Sequence, residues 1–217
     1  MNTQEARLSH PAQIHIKNIM DVFLSLVCLV FSAIPFLLIM ICIKLDSKGP
    51  VFFKQERPGK DGKIFTLYKF RTMAGSHDKN GNSIPDEKRI TPVGKFLRKF
   101  SLDELPELWN VVRGDMSFVG PRPLLVSYLE RYSPEQARRH GVKPGITGWA
   151  QVKGRNVITW VDKFKYDIWY VDNWNLALDL KILLITAVKV LRKEGISKDG
   201  YVSMEEFMGT SSKGMEE

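Results

Sequence analysis

Apolar positions make the first division of the chain. From Val22 to Ile43, "VFLSLVCLVFSAIPFLLIMICI", 22 residues pass without a charge. As a straight helix such a run is about 33 Å long, enough to cross a bilayer. Residues 49–73, "GPVFFKQERPGKDGKIFTLYKFRTM", predict two short strands around a Pro-Gly and Asp-Gly turn region. Residues 74–92 are polar and aperiodic and predict an exposed loop. Helical spacing follows from Val93 to Val112, interrupted around 100–106. Residues 114–123 and 141–156 hold too much Gly and Pro for long regular elements. Ser133 caps a short helix reaching His140, with Pro134 at its first position. Aromatic residues recur through 159–174, and 176–193 predicts an amphipathic helix that either joins the core or lies in the headgroup plane. The expected class is therefore α+β, mainly helical, with a small β-hairpin and interfacial amphipathic helices. Three regions follow: an N-terminal segment holding the apolar run (1–48), a main domain (49–196) and a mobile C-terminal tail (197–217).

The apolar run has three readings. A signal peptide wants a shorter core and a small-x-small cleavage site, which this run lacks. A plain transmembrane helix fits the length. Two features favour a helix that enters and returns. Pro35 removes a backbone bond within the run. Basic residues also flank both ends, Arg7 and Lys17 before, Lys44 and Lys48 after, so both ends prefer the cytoplasmic side. Each arm, of about a dozen residues, is then about 18 Å long, close to one leaflet. Ser32, one turn earlier, is the candidate partner for a carbonyl freed at the bend. The expectation is a re-entrant helix-break-helix around Ser32 and Pro35.

Charge narrows the partners. Lys and Arg outnumber Asp and Glu by 32 to 24, a net +8, which suits phosphates on a lipid, a nucleotide or a nucleic acid. Cys28 and Cys42 both fall in the apolar run and read as inert apolar side chains rather than a disulfide or metal site. Nucleic-acid binding is set aside, since lysines and aromatics interleave in 160–174 but no recognised motif is present.

The stretch "SLDELPELWN" (101–110) carries the chemistry. Ser101 followed by Glu104 matches a capping box. Yet Pro106 falls where a helix capped at Ser101 wants an N–H, so either the helix is distorted or it begins near Leu105 with Pro106 first. In the second case Asp103 and Glu104 stand just outside a helix start. Downstream, "RGDMSFVGPRP" sets Arg122 between two prolines, a backbone partly fixed in advance for gripping an anion. Lys69, Arg71, Lys95, Arg98 and Lys99 add cations that could fold toward the acids. Carboxylates among cations suit phosphoryl chemistry.

"KFRTM", "SLDELPELWNVVRGDMSFVGPRPLL" and "KPGITGWAQVKGRN" together resemble the bacterial sugar transferases, in the form of the small monotopic phosphoglycosyl transferases. The resemblance runs from about residue 15 to about residue 195. It implies a two-step transfer of a sugar 1-phosphate from a UDP-sugar to polyprenyl phosphate, with release of UMP. Asp103 would be the nucleophile and a Mg²⁺ ligand. Glu104 would help to deprotonate the incoming phosphate or arrange Asp103 and Mg²⁺. Lys69, Arg98 and Arg122 match the family's basic positions, Arg122 holding a substrate phosphate. The implied setting is the bacterial inner membrane, entered from the cytoplasmic face and not crossed, with self-association left open. Where family members show Ser-Pro at the bend, this chain has "SAIP". Two other functions stay in view: a glycosyltransferase that releases UDP, and a basic membrane-surface binding protein without chemistry.

Overall fold

The computed structural model describes residues 11–75, 84–154, 158–192 and 206–209. Arg7, residues 76–83 of the expected 74–92 loop and most of the tail expected to be mobile lie outside the described residues. The rest of that loop is partly regular, with a short helix at Asp86–Arg89 and a bridge from Ile90 to Met73. Two helices open the chain, α1 (Pro11–Phe31) and α2 (Ala33–Asp46). They are followed by the antiparallel pair β1 (Phe52–Pro58) and β2 (Ile64–Phe70), registered Phe52 to Phe70 and Pro58 to Ile64. Next come α3 (Asp86–Arg89), α4 (Pro92–Lys99) and α5 (Glu107–Val112). Two three-residue strands, β3 (Ser117–Val119) and β4 (Gly145–Thr147), pair in parallel across the intervening α6 (Pro134–Ala137). The described chain closes with α7 (Trp149–Gly154), α8 (Trp160–Asn173) and α9 (Leu176–Arg192).

The first break falls at Ser32, three residues before Pro35. A proline ring clashes with the carbonyl four residues back but is harmless in a first helical turn. The chain accordingly restarts so that Pro35 is the third residue of α2. The Ser32 hydroxyl donates to the carbonyl of Leu29 (3.4 Å) and not to that of Phe31, whose helical partner would have been Pro35. By length and composition Ala12–Phe31 could cross a bilayer.

Both helices nevertheless return to the same body. Lys17 of α1 donates to Asp179 Oδ2 of α9 (2.5 Å), and Asp179 also accepts from Tyr170 Oη (2.7 Å) and Trp174 Nε1 (3.1 Å). Lys143 donates to Asn18 (3.0 Å). On α2, Phe36, Ile39, Met40 and Ile43 pack with Val51, Phe70 and Leu97. The Arg71 guanidinium donates to the carbonyls of Ser47 (2.7 Å) and Lys48 (2.8 Å), a cation at a helix C-terminus. Away from these contacts the side chains of Phe23, Val30, Phe31, Ile34 and Leu37 are exposed. A stripe on α9, Leu180, Leu184, Val188 and Leu191, is exposed as well.

The remaining core is small and divided. Val119, Val152, Tyr170, Leu178 and Ile182 form one cluster, and Leu67, Val111 and Met116 another. Leu124, Tyr128 and Phe164 form a third around Phe207, which is 3% exposed. Glu206–Gly209 thus dock on the body, within the segment expected to be mobile. Ser133 and Gln136 complete a reciprocal capping box at α6. Thr91 caps α4 by accepting from Gly94 N–H (2.9 Å). Gly94 has no alternative, because a Cβ there would lie 2.0 Å from the carbonyl oxygen of Thr72. That close approach brings α4 against the exit of β2.

Candidate active site

Between α4 and α5 the chain makes the turn that carries the acids. Ser101 has φ +55° and ψ 23°, the left-handed region, and its side chain makes no cap bond. An N-cap residue needs extended backbone, so no capping box forms here. A non-glycine residue in that region costs about 1–3 kcal/mol and persists only where its surroundings enforce it. Leu102–Glu104 then wind as a 3₁₀ turn, and α5 starts at Glu107 directly after Pro106. This is the arrangement with the acids just outside a helix start.

Asn110 ties the turn to the hairpin. Fully buried on α5, it donates to the carbonyl of Thr66 (2.7 Å) and accepts from Tyr68 N–H (3.1 Å). The unpaired edge of β2 is satisfied this way, and the next residue, Lys69, is placed beside the acids. Lys69 Nζ donates to Glu104 Oε1 (2.8 Å) and pairs with Glu107 Oε1 (3.0 Å). Arg122 NH2 donates to the same Glu104 oxygen. Burial works against a charged Glu104, but Arg122 and Lys69 together hold its carboxyl well below the usual range. Glu107, 2% exposed, is pushed up to about 7, first by burial and further by Glu104, with Lys69 opposing. Glu104 raises Arg122 above its ordinary value.

Asp103 is different. Burial, then Glu104, raises its carboxyl above the ordinary value, while Lys69, Arg122 and Arg98 oppose. No hydrogen bond engages it among the described residues. It lines an open cleft of about 1600 Å³ together with Lys69, Arg98, Glu104 and Arg122. Arg98 is steadied by donating from Nε to Thr72 Oγ1 (2.9 Å). Every expected site residue therefore faces one space. Ser32 and Pro35, at the helix break, line the same cleft.

Mg²⁺ takes oxygen ligands, commonly one or two carboxylates plus substrate phosphates. The free carboxylate of Asp103 fits that donor set. Glu104 is already committed to two cations, and among the described residues no three metal-ligating side chains gather. A cation at this place would rest on Asp103 and on oxygens brought by a substrate.

Sequence reasoning missed Glu107, Asn110 and the buried pair Arg139–Asp167 that backs Arg122. Glu107 had a weak signal, since residues three apart share a helix face and Glu104 and Glu107 are so spaced. Asn110, polar among "LWNVV", had another.

Comparison with known proteins gives the same direction. The model of the bacterial sugar transferase family matches residues 12–193. An uncharacterized sugar transferase of Bacillus subtilis, EpsL, is 53% identical over 195 residues, covering 90% of this chain and 96% of that protein. The UDP-glucose:undecaprenyl-phosphate glucose-1-phosphate transferase of Xanthomonas campestris pv. campestris is 42% identical over 187 residues, 81% of this chain and 38% of that protein. The undecaprenyl-phosphate galactose phosphotransferase of Salmonella typhimurium is 38% identical over 197 residues, 83% of this chain and 41% of that protein. The chain thus spans nearly all of the first relative and about two-fifths of the other two. With the family model covering almost every described element, the chain belongs to the bacterial sugar transferase family.

Proposed function

We propose that this protein transfers a sugar 1-phosphate from a UDP-sugar to polyprenyl phosphate at a membrane surface and releases UMP. The observation that carries the reading is an unengaged carboxylate, Asp103, standing beside a carboxylate that is locked between two cations, in a cleft reaching from the acids to the helix break. The names of the Xanthomonas and Salmonella relatives support this substrate class.

In the first step an Asp103 oxygen attacks the β-phosphorus. The bond from that phosphorus to the bridging oxygen breaks, and UMP leaves with the oxygen. An aspartyl-phosphosugar remains. In the second step an oxygen of polyprenyl phosphate attacks the same phosphorus. The Asp103–phosphorus bond breaks, the carboxylate is restored and a polyprenyl diphosphate sugar departs. A carboxylate nucleophile splits one difficult displacement into two easier ones. Mg²⁺ held by Asp103 and the diphosphate would supply charge neutralisation. Arg122 and Arg98 offer fixed positive charge to phosphate oxygens. Of the two roles expected for Glu104, arrangement fits better than deprotonation. A carboxyl held so far below its usual range is a weak base, whereas one that fixes Lys69 and Arg122 orders the cleft.

The membrane placement is part of the proposal. Both α1 and α2 make contacts with the same body, near Lys17 and near Ile43, and their exposed apolar residues lie between. An entry and exit on one side, the re-entrant form, satisfies both contacts at once. The exposed stripe of α9 would then lie at headgroup level. The expected location is the bacterial inner membrane, with the catalytic body on the cytoplasmic face.

The test is nucleotide release from a panel of UDP-sugars, with polyprenyl phosphate and Mg²⁺, and with EDTA as control. UMP released over many turnovers, dependent on lipid phosphate and on Mg²⁺, supports the reading. UDP as the product means glycosyl transfer, and no nucleotide from any sugar leaves a binding protein; either result overturns it.

A further inference from the structure

Arg122 is itself held from behind. It stands between Pro121 and Pro123, and Pro123 offers no N–H, so regular pairing cannot fix this stretch. Two contacts fix it instead. Gly145 N–H donates to the carbonyl of Pro121 (3.1 Å), and Arg139 NH2 donates to the carbonyl of Arg122 (2.7 Å). Arg139 is 2% exposed. Its Nε (3.0 Å) and NH2 (2.7 Å) both reach Asp167 Oδ2 on α8, which is 1% exposed. The rings of Tyr132 and Phe164 flank the guanidinium at 5.9 and 5.8 Å. A continuous path runs from α8 through Arg139 and the Arg122 backbone to Glu104 and Lys69.

A buried ion pair is weak evidence for stability, because apolar side chains of like volume often serve as well or better. What an apolar pair cannot reproduce is the bond to the carbonyl of Arg122. We propose that Arg139 and Asp167 are positioning residues for phosphoryl transfer: by fixing the carbonyl of Arg122 they hold its guanidinium in register with Glu104 and a substrate phosphate. The inference rests on the function proposed above. Its substance is that their effect passes wholly through Arg122.

The decisive experiment combines Arg139→Met and Asp167→Leu, made in the unsubstituted protein and again with Arg122→Ala. UMP release and UDP affinity in Mg²⁺ are both measured. A displacement on the order of 1 Å in a positioned group can lower a rate about 100-fold. The pair change is therefore expected to keep a cooperative melt yet lower kcat/KM about 10- to 100-fold, with weaker UDP binding. In the Arg122→Ala background it should add less than about two-fold, since coupled residues are not additive. Turnover and UDP affinity close to unsubstituted levels would overturn the inference, as would an equal loss in both backgrounds. If the double variant fails to fold, Arg139→Lys keeps a cation for Asp167 without the fork that also reaches the carbonyl, and the same two outcomes apply. If the unsubstituted protein releases no UMP, the proposed function falls, and UDP affinity alone then decides this inference by the same criteria.

Discussion

Glu104→Gln separates arrangement from deprotonation. The substitution keeps the size of the side chain and one carbonyl acceptor but removes the charge that Lys69 and Arg122 share. Hydrogen bonds to charged groups are worth about 1.5–3 kcal/mol each, so the two bonds together amount to about 3–6 kcal/mol. Glutamine can keep roughly half of that as neutral acceptance, leaving a loss of about 1.5–3 kcal/mol. At about 1.36 kcal/mol per tenfold in rate, turnover should fall about 10- to 150-fold. The step at which the loss appears is the sharper readout. An arranger is needed when Asp103 first attacks, so the burst of UMP without lipid acceptor should slow as much as full turnover does. The assay is rapid-quench measurement of UMP with and without polyprenyl phosphate. A normal burst with slow turnover would refute the arrangement argument and return Glu104 to the role of base.

Further outcomes are expected. Asp103→Asn should abolish sugar-phosphate transfer while membrane association, followed by flotation with vesicles, stays intact; loss of both would mean that the residue maintains the fold. Lys17→Met removes one partner of a pair whose side chains are 14% and 9% exposed. One-sided loss of a buried pair costs about 3–5 kcal/mol. The melting temperature in detergent should drop by about 6 °C or more, and a drop under about 2 °C would mean that Lys17 does not secure α1. Glu107, raised to about 7 by burial, keeps its proton in the folded chain while the unfolded chain loses it near the ordinary glutamate value of about 4.3. Between those values the folded state binds more protons, so stability falls as pH rises through the window. Glu107→Gln should therefore gain melting temperature relative to the unsubstituted protein from pH 5 to pH 8, by calorimetry, and parallel pH curves would refute the burial argument.

Features governed by local sequence were legible. The hairpin came from its Pro-Gly and Asp-Gly turn, the α6 cap from Ser133 and Pro134, and α9 from its spacing. The neighbouring acids were legible as well, because "SLDELPELWN" sets a proline where a capped helix wants a donor. Contacts between distant residues were not. Lys17 and Asp179 are 162 positions apart, and Arg139 and Asp167 are 28 apart; nothing in the local pattern of either residue names its partner. Ser101 is a related case, since the motif S-x-x-E specifies side chains alone, and the positive φ that removes the cap is not written in it. The break at Ser32 shows the same limit at short range. A proline announces that a helix must yield, while packing decides on which side of it.

Intact-mass spectrometry of the protein mixed with UDP-sugar and Mg²⁺, without lipid acceptor, tests the central claim most directly. The mass should rise by one sugar phosphate, peptide mapping should place it on Asp103, and polyprenyl phosphate should then remove it. Active protein that never carries the adduct, or carries it on another residue, would contradict covalent transfer through Asp103.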